Sequence, residues 1–383
     1  MDAETAQLIS QIRKVMKEIR LATPRKPVPS WLEPTDLVCR EDYLGTERVK
    51  AASMTLFPTG CEYAAVGGCT MCGEWSGSNL GDLVSAQFHV AQFAAGSAKL
   101  LSEKDVRWLR IYQEGSFLNS AEVAPEAREV ILKLASKLTN IQRITIESRP
   151  EYLTENVANT LQSFMGNVEL EIGIGLEAKD DYIRNVCVGK GTVISSYQKA
   201  VKIAHKNGII ALGYVILKPP FLTEAEGIAE AIETTRYAFE IGFDEVYIQA
   251  ASIHEWSLSE LLALKHLYSP PWLWSMLKVV QETAHWGKVK IGGLEYFPRP
   301  AFISQNYKNI DSGETCECSQ DIWEAIQNFN ATGDINLFSG LSCSCKSIWN
   351  NLLATTSQPL QLRVHNHLAE VSIHEYLNAK NIP

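Results

Sequence analysis

The chain has 383 residues, 46% of them hydrophobic, which is enough to build a full core without cross-links. Its formal net charge of -9, from 35 basic and 44 acidic residues, argues against a broad non-specific nucleic-acid surface while leaving room for a local basic groove. No secretory signal opens the sequence and no apolar run approaches the length of a membrane span, so the nine cysteines are expected in a reducing cytoplasm, where thiols bind metal or stay free.

Residues 5–21 carry Leu8, Ile9, Ile12, Val15, Met16 and Ile19 at helical spacing among lysines and arginines, the pattern of a surface helix packed by one face. Pro24, Pro27, Pro29 and Pro34 then impose an extended arm. Arg20, Arg25, Lys26 and Arg40 make this end locally basic, and the plain reading is a solvated charged face.

From residue 51 short β-rich runs alternate with amphipathic helices. The runs are 51–57, 106–113, 141–147, 168–175, 209–217 and 245–250, with helical segments such as 124–138, 195–207 and 224–241 between them. Alternation of this kind implies parallel strands joined by right-handed crossovers, in a barrel or an open doubly wound sheet, with ligands at the C-terminal ends of the strands.

The first run leads into Thr59-Gly60-Cys61 and on to Gly67-Gly68-Cys69-Thr70-Met71-Cys72. Three thiols within a dozen residues on a glycine-containing loop suit an iron-sulfur cluster; a fragment of a zinc site and three unrelated buried thiols are the alternatives. Polar residues then emerge where three later strands stop, at Glu114, at Glu147 with Arg149 and Glu151, and at Glu177. Gly189-Lys190-Gly191 could present a lysine to an anion or be a solvated loop, and Cys187 reads as a small buried residue.

Beyond the strands comes an aromatic segment, 256–286, in which Pro270-Pro271 precedes Trp272 and Trp274, expected to be packing residues, followed by a strand near 289–297. Cys316-Glu317-Cys318 and Cys343-Ser344-Cys345 offer four more thiolates that could converge on one closed metal site, separated by a helix near 321–329. Zinc and a second iron-sulfur cluster both suit them, with a lean to the cluster because such a protein must already be supplied with clusters. Trp349 and the segment that follows read as a helical cap.

Taken together these motifs resemble the radical S-adenosylmethionine superfamily from residue 51 onward. Seven residues rather than the usual three separate Cys61 from Cys69, and Met71 stands where an aromatic residue is common. Glu114-Gly115-Ser116-Phe117-Leu118, Glu147-Ser148-Arg149-Pro150-Glu151-Tyr152, Gly175-Leu176-Glu177, Lys190-Gly191, Lys218-Pro219-Pro220-Phe221-Leu222-Thr223-Glu224 and Pro270-Pro271-Trp272-Leu273-Trp274 are similar, in order and spacing, to the radical subunit family of archaeosine synthase, itself related to the elongator catalytic subunit.

The resemblance implies an α/β fold, a partial (β/α)6 barrel over 51–255, with an N-terminal helical arm (1–50) and a cysteine-containing C-terminal extension (256–383). It implies that Cys61, Cys69 and Cys72 ligate a 4Fe-4S cluster with one open iron for S-adenosylmethionine. Glu114, Gly115 and Ser116 would receive the methionine amino group, Glu177 the ribose or amino-acid part, and Lys190 the carboxylate, with Arg149 and Glu151 orienting the cofactor or the substrate. Family members are lyases acting on a lysine-modified deazaguanine in tRNA with a partner transferase, fed by an electron donor such as ferredoxin or flavodoxin. A radical enzyme acting on a small metabolite, a peptide or a carrier-bound intermediate is the second reading, and a zinc-stabilised binding module a third, from another class.

Overall fold

A computed structural model describes residues 2–45, 47–103, 105–292, 303–310 and 312–380. Eight strands form one curled half-barrel sheet in chain order: β1 (Asp36–Leu44), β2 (Glu47–Thr55), β3 (Val106–Tyr112), β4 (Arg143–Glu147), β5 (Glu169–Glu177), β6 (Ile210–Leu217), β7 (Glu245–Ala250) and β8 (Lys288–Gly292). β1 pairs antiparallel with β2 and every later neighbour is parallel. All six runs read from residue 51 onward are strands here. The expected strand near 289–297 is β8, and its part from 293 on lies outside the described residues.

The first strand, β1, falls in the segment read as an arm. Its sequence, Asp-Leu-Val-Cys-Arg-Glu-Asp-Tyr-Leu, is half charged because it is an edge strand with partly exposed faces, so no clean alternation announces it.

Helix α1 (Ala3–Ala22) precedes the sheet, and the single turn α2 (Glu62–Ala65) follows β2. The crossovers are α3 (Ala86–Ser102), α4 (Pro125–Ala135), α5 (Glu155–Met165), α6 (Ile194–Lys206) and α7 (Glu224–Glu240), with α8 (Leu258–Leu264) and α9 (Leu273–Thr283) between β7 and β8. A short ribbon, β9 (Tyr307–Asn309) and β10 (Glu314–Thr315), leads to α10 (Cys318–Thr332), α11 (Lys346–Ala354), α12 (Leu360–Glu370) and α13 (Ile373–Ala379).

Strand alternation sorts the two faces of the sheet. On β5, Leu170, Ile172, Ile174 and Leu176 join the main core with the crossover helices, while Glu171, Gly173, Gly175 and Glu177 share the other face. A second core forms around α1: Leu8, Ile12, Met16 and Ile19 pack with Trp256, Leu261, Val364, Leu368 and Tyr376. The apolar stripe of residues 5–21 is thus matched, but Arg20 is not part of a solvated face. It is 3% exposed, and its guanidinium donates to Trp256 O at 2.9 Å and to Cys72 O at 2.6 Å.

The other face carries charge toward the N-terminal ends of the strands. Arg143 meets Glu171 at 3.1 Å, Glu245 at 2.9 Å and Glu169 at 2.9 Å, and Lys288 adds a 2.6 Å contact to Glu245. Lys290 reaches from β8 to Asp42 on β1 at 2.5 Å, and Arg110 pairs with the same carboxylate. Burial alone would raise the Asp42 carboxyl, but Arg110 and Lys290 outweigh it and hold the group at about 2. Removing one member of such a network strands buried charge: Arg143→Met should lower unfolding free energy by about 3–5 kcal/mol in denaturant titrations, and a loss under 1 kcal/mol would contradict this account.

Candidate active site at the C-terminal ends of the strands

The cysteine loop leaves β2 through Gly60, whose φ of +111° needs glycine and whose hypothetical Cβ would stand 2.8 Å from Ser78 Oγ. Cys61 caps α2, and Gly67 and Gly68, with φ of +118° and +56°, turn the chain back to Cys69. The seven-residue spacer is therefore one helical turn closed by a two-glycine reversal. A Cβ on Gly68 would lie 2.6 Å from Ala64 Cα, which fixes how tightly that reversal packs.

Three neighbours clamp the loop. Arg20 of α1 holds Cys72 O. The segment after β5 holds Thr70 through Thr70 N to Val188 O at 2.9 Å and Thr70 Oγ1 to Cys187 O at 2.5 Å, and Tyr63 Oη donates to Gly189 O at 2.8 Å. Ser259 N, at the start of α8, donates to Thr70 O at 3.2 Å. Gly189-Lys190-Gly191 is thus packed against the cysteines rather than loose, and Cys187 is a buried thiol as expected.

All three loop cysteines are half-buried. Burial pushes the Cys61 thiol up to about 11, with Glu122 adding to it, and burial pushes Cys72 up to about 12. A thiolate here needs positive charge brought to it, which bound iron would supply. Their sulfurs do not gather into a group within 4.8 Å. The donor set fits a cluster with three protein ligands.

Other expected residues lie at the strand ends. Glu114 and Glu177, at the ends of β3 and β5, have left-handed backbones, with φ of +56° and +64°, as does Lys218 after β6, with φ of +56°. Such conformations cost on the order of 1–3 kcal/mol each and concentrate at functional sites. Lys190 Nζ meets Glu177 Oε1 at 2.8 Å, and a Cβ on Gly175 would come within 2.2 Å of that oxygen and 2.4 Å of that nitrogen. Burial opposes the charge on Lys190, but Glu177 and Cys69 outweigh it and raise its pKa.

Arg149 lies beside them with its guanidinium fully engaged by protein. It bonds Glu151 at 2.6 Å, Lys190 O at 3.0 Å and Thr192 Oγ1 at 2.7 Å, and stacks 4.1 Å over the Tyr63 ring. Ser116 N is likewise committed, donating to Glu122 Oε2 at 2.6 Å.

Several residues here were not singled out from sequence. Glu122, with no exposed surface, also accepts from Glu62 N at 3.1 Å and Asn119 Nδ2 at 2.9 Å, tying the start of α2 to the Glu114 turn. It sits in an irregular loop, where no periodicity marks it. Glu74 adjoins Glu114: burial raises the Glu114 carboxyl well above its ordinary value, Glu74 adds to the rise, and Lys26 from the Pro-rich segment opposes it. His254 Nδ1 lies 3.3 Å from Glu74 Oε1. Glu147, read from sequence at a strand end, does end β4, as Glu177 ends β5. Burial raises its carboxyl to about 7, against the opposing hydrogen bond from Tyr214 and the charge of Lys190.

The four C-terminal cysteines form a separate group, with all four sulfurs within 4.8 Å of one another. Among the described residues no helix is long and apolar enough to cross a membrane.

The Glu147 shift has a pH consequence. Its folded value lies above the ordinary 4.5, so the folded chain holds this proton more tightly than the unfolded chain, and stability falls as pH rises from about 4.5 to about 7. Glu147→Gln stays neutral throughout, so denaturant titrations should show variant stability gaining on the parent by up to about 3 kcal/mol across that window. A constant difference would contradict the assignment.

No protein-family model matches the chain. Among curated relatives, archaeosine synthase subunit beta of Methanosarcina acetivorans is 28% identical over 89% of this chain and 96% of its own. The subunit of the same name from Thermococcus kodakarensis is 31% identical over 64% of this chain and 74% of its own. A solved structure of methylornithine synthase overlays 92% of this chain and 93% of its own at 10% identity and a TM-score of 0.43, a likeness too loose to transfer any residue role. The chain belongs to the family of archaeosine synthase beta subunits.

Proposed function

We propose that this protein reductively cleaves S-adenosylmethionine at a 4Fe-4S cluster held by Cys61, Cys69 and Cys72. The carrying observation is the clamped loop at the end of β2, which presents three half-buried thiols on a glycine-turned loop, with the Lys190–Glu177 pair packed beside it. Bound there, the cluster and its cofactor would supply one-electron cleavage of a carbon-sulfur bond and hydrogen abstraction from substrate.

The residues around the loop divide the binding work. Glu114 suits the cofactor ammonium and Lys190 its carboxylate, with Glu177 holding the lysine until the cofactor arrives. Glu177 is then free to bond the ribose or the amino-acid part. Gly115 and Gly175 keep space that a side chain would fill: a Cβ on Gly115 would stand 2.1 Å from Glu122 Oε2. Arg149, through Lys190 O and Thr192, is assigned to positioning the lysine loop, and Ser116 to holding the Glu114 turn.

The family supports a substrate as well: a lysine-modified deazaguanine in tRNA, cleaved as a lyase together with a transferase subunit, in the cytoplasm, with ferredoxin or flavodoxin as donor. The net charge of -9 weighs toward the second reading, a small metabolite, a peptide or a carrier-bound intermediate, and the salt dependence of binding separates the two. If tRNA is bound, affinity should fall steeply with salt, with a log–log slope of several units; a weak or salt-insensitive interaction would support the small substrate.

Replacing Cys61, Cys69 and Cys72 together with alanine should abolish deoxyadenosine formation from S-adenosylmethionine in anaerobic, dithionite-reduced protein. Formation at the parent rate would place the cluster elsewhere.

A further inference from the structure

The four C-terminal cysteines take no part in the chemistry above. Cys316 follows the β9–β10 ribbon, Cys318 is the first residue of α10, Cys343 lies in the turn before α11, and Cys345 caps α11. Cys316 Sγ lies 3.3 Å from Cys343 Sγ, and Cys318 Sγ 3.4 Å from Cys345 Sγ. We propose that these four thiolates hold one zinc ion in a closed tetrahedral site, which fastens helices α10 and α11 to helix α9 and so to the end of β6.

Size decides between one ion and a cluster. Four thiolates around zinc, at a Zn–S distance of ~2.3 Å, stand about 3.8 Å apart. A 4Fe-4S cube holds each thiolate on its own iron, which spreads the sulfurs to on the order of 6 Å. All four here lie within 4.8 Å, so the cage is the size of one ion. Four thiolates with no vacant position close the coordination shell, as in structural sites, and an all-sulfur tetrahedral set suits zinc.

The surroundings suit the negative charge such a site carries. Two helices of 15 and 9 residues, α10 and α11, begin at it and direct the positive ends of their dipoles toward the sulfurs. Trp274 Nε1 donates to Cys345 Sγ at 3.3 Å, and Asn306 Nδ2 to Cys318 Sγ at 3.5 Å. Both donors are buried, and Asn306 also accepts from Trp274 N at 3.3 Å. These are the N–H contacts to sulfur that fix ligand orientation around a metal.

The same residues lead back to the barrel. Trp272 N and Ser275 Oγ donate to Glu224 Oε1 at 2.7 and 2.5 Å, and Trp349 Nε1 of α11 donates to Ser275 Oγ at 2.8 Å. Glu224 Oε2 meets Lys218 Nζ at 2.8 Å, where β6 ends. The contacts therefore run from the four cysteines to the end of β6.

The test uses full-length protein made without oxygen in medium holding both zinc and iron, with metal and acid-labile sulfide measured per chain. One zinc per chain is expected. It should persist when Cys61, Cys69 and Cys72 are replaced with alanine, whether or not that variant cleaves S-adenosylmethionine, and be lost with Cys316→Ser plus Cys343→Ser. Cobalt in its place should show the visible d–d bands of a tetrahedral thiolate site. Iron with labile sulfide remaining in the loop variant would overturn the proposal in favour of a second cluster, and a zinc-free chain would overturn it outright. Should the serine variant fail to fold, titrating the parent with a mercurial in the presence of a zinc indicator decides: release tracking modification of four thiols supports the site, and release without thiol modification overturns it.

Discussion

A carboxyl group removed from water must have its oxygens bonded, and the arrangement of this site follows from how Glu122 meets that requirement. It draws donors from Glu62 at the start of α2, from Ser116 in the turn after β3, and from Asn119 and Gln113. One side chain thereby sets the distance between the first cysteine of the loop and the strand end that carries Glu114. Loss of Glu122 would orphan two backbone amides at once, on both sides of the site, so the cysteine loop and the Glu114 turn stand or fall together.

The polar face of the half-barrel divides into two regimes. Toward the N-terminal ends of the strands, acids and bases are matched: Arg143, Lys288, Lys290 and Arg110 answer Glu171, Glu245 and Asp42. Toward the C-terminal ends, carboxyls outnumber cations. Glu74, Glu114, Glu147 and Glu177 face Lys190, and the imbalance is absorbed by raised carboxyl pKa values at Glu114 and Glu147. The matched end serves stability, and the unmatched end keeps neutral carboxyls that a bound cation would return to the charged form.

The sequence made the strands legible because those from β2 to β7 bury one face under helices, leaving apolar residues at every second position. The three loop cysteines and the strand-end acids could be found because thiols and carboxyls at the ends of apolar runs are conspicuous. Other features left no such mark. The edge strand β1 has too many charges to read as a strand. Arg20 looks like any surface arginine until α1 is packed, and its role depends on carbonyls 52 and 236 residues away. Lys190 and Glu177 were each assigned to a cofactor, but only the folded chain shows that they bond each other first.

The packing of α1 bears on the order in which the protein can be assembled. Arg20 pins the cysteine loop, yet the helix that carries it rests on residues 256–268 and on α12 and α13. A chain emerging from the ribosome exposes its three cysteines long before residues 360–379 exist to seat that helix. The floor beneath the cysteine loop is therefore completed only after residues 360–379 have been made, and an iron group held there would have to enter, or be retained by, a chain already folded through α13.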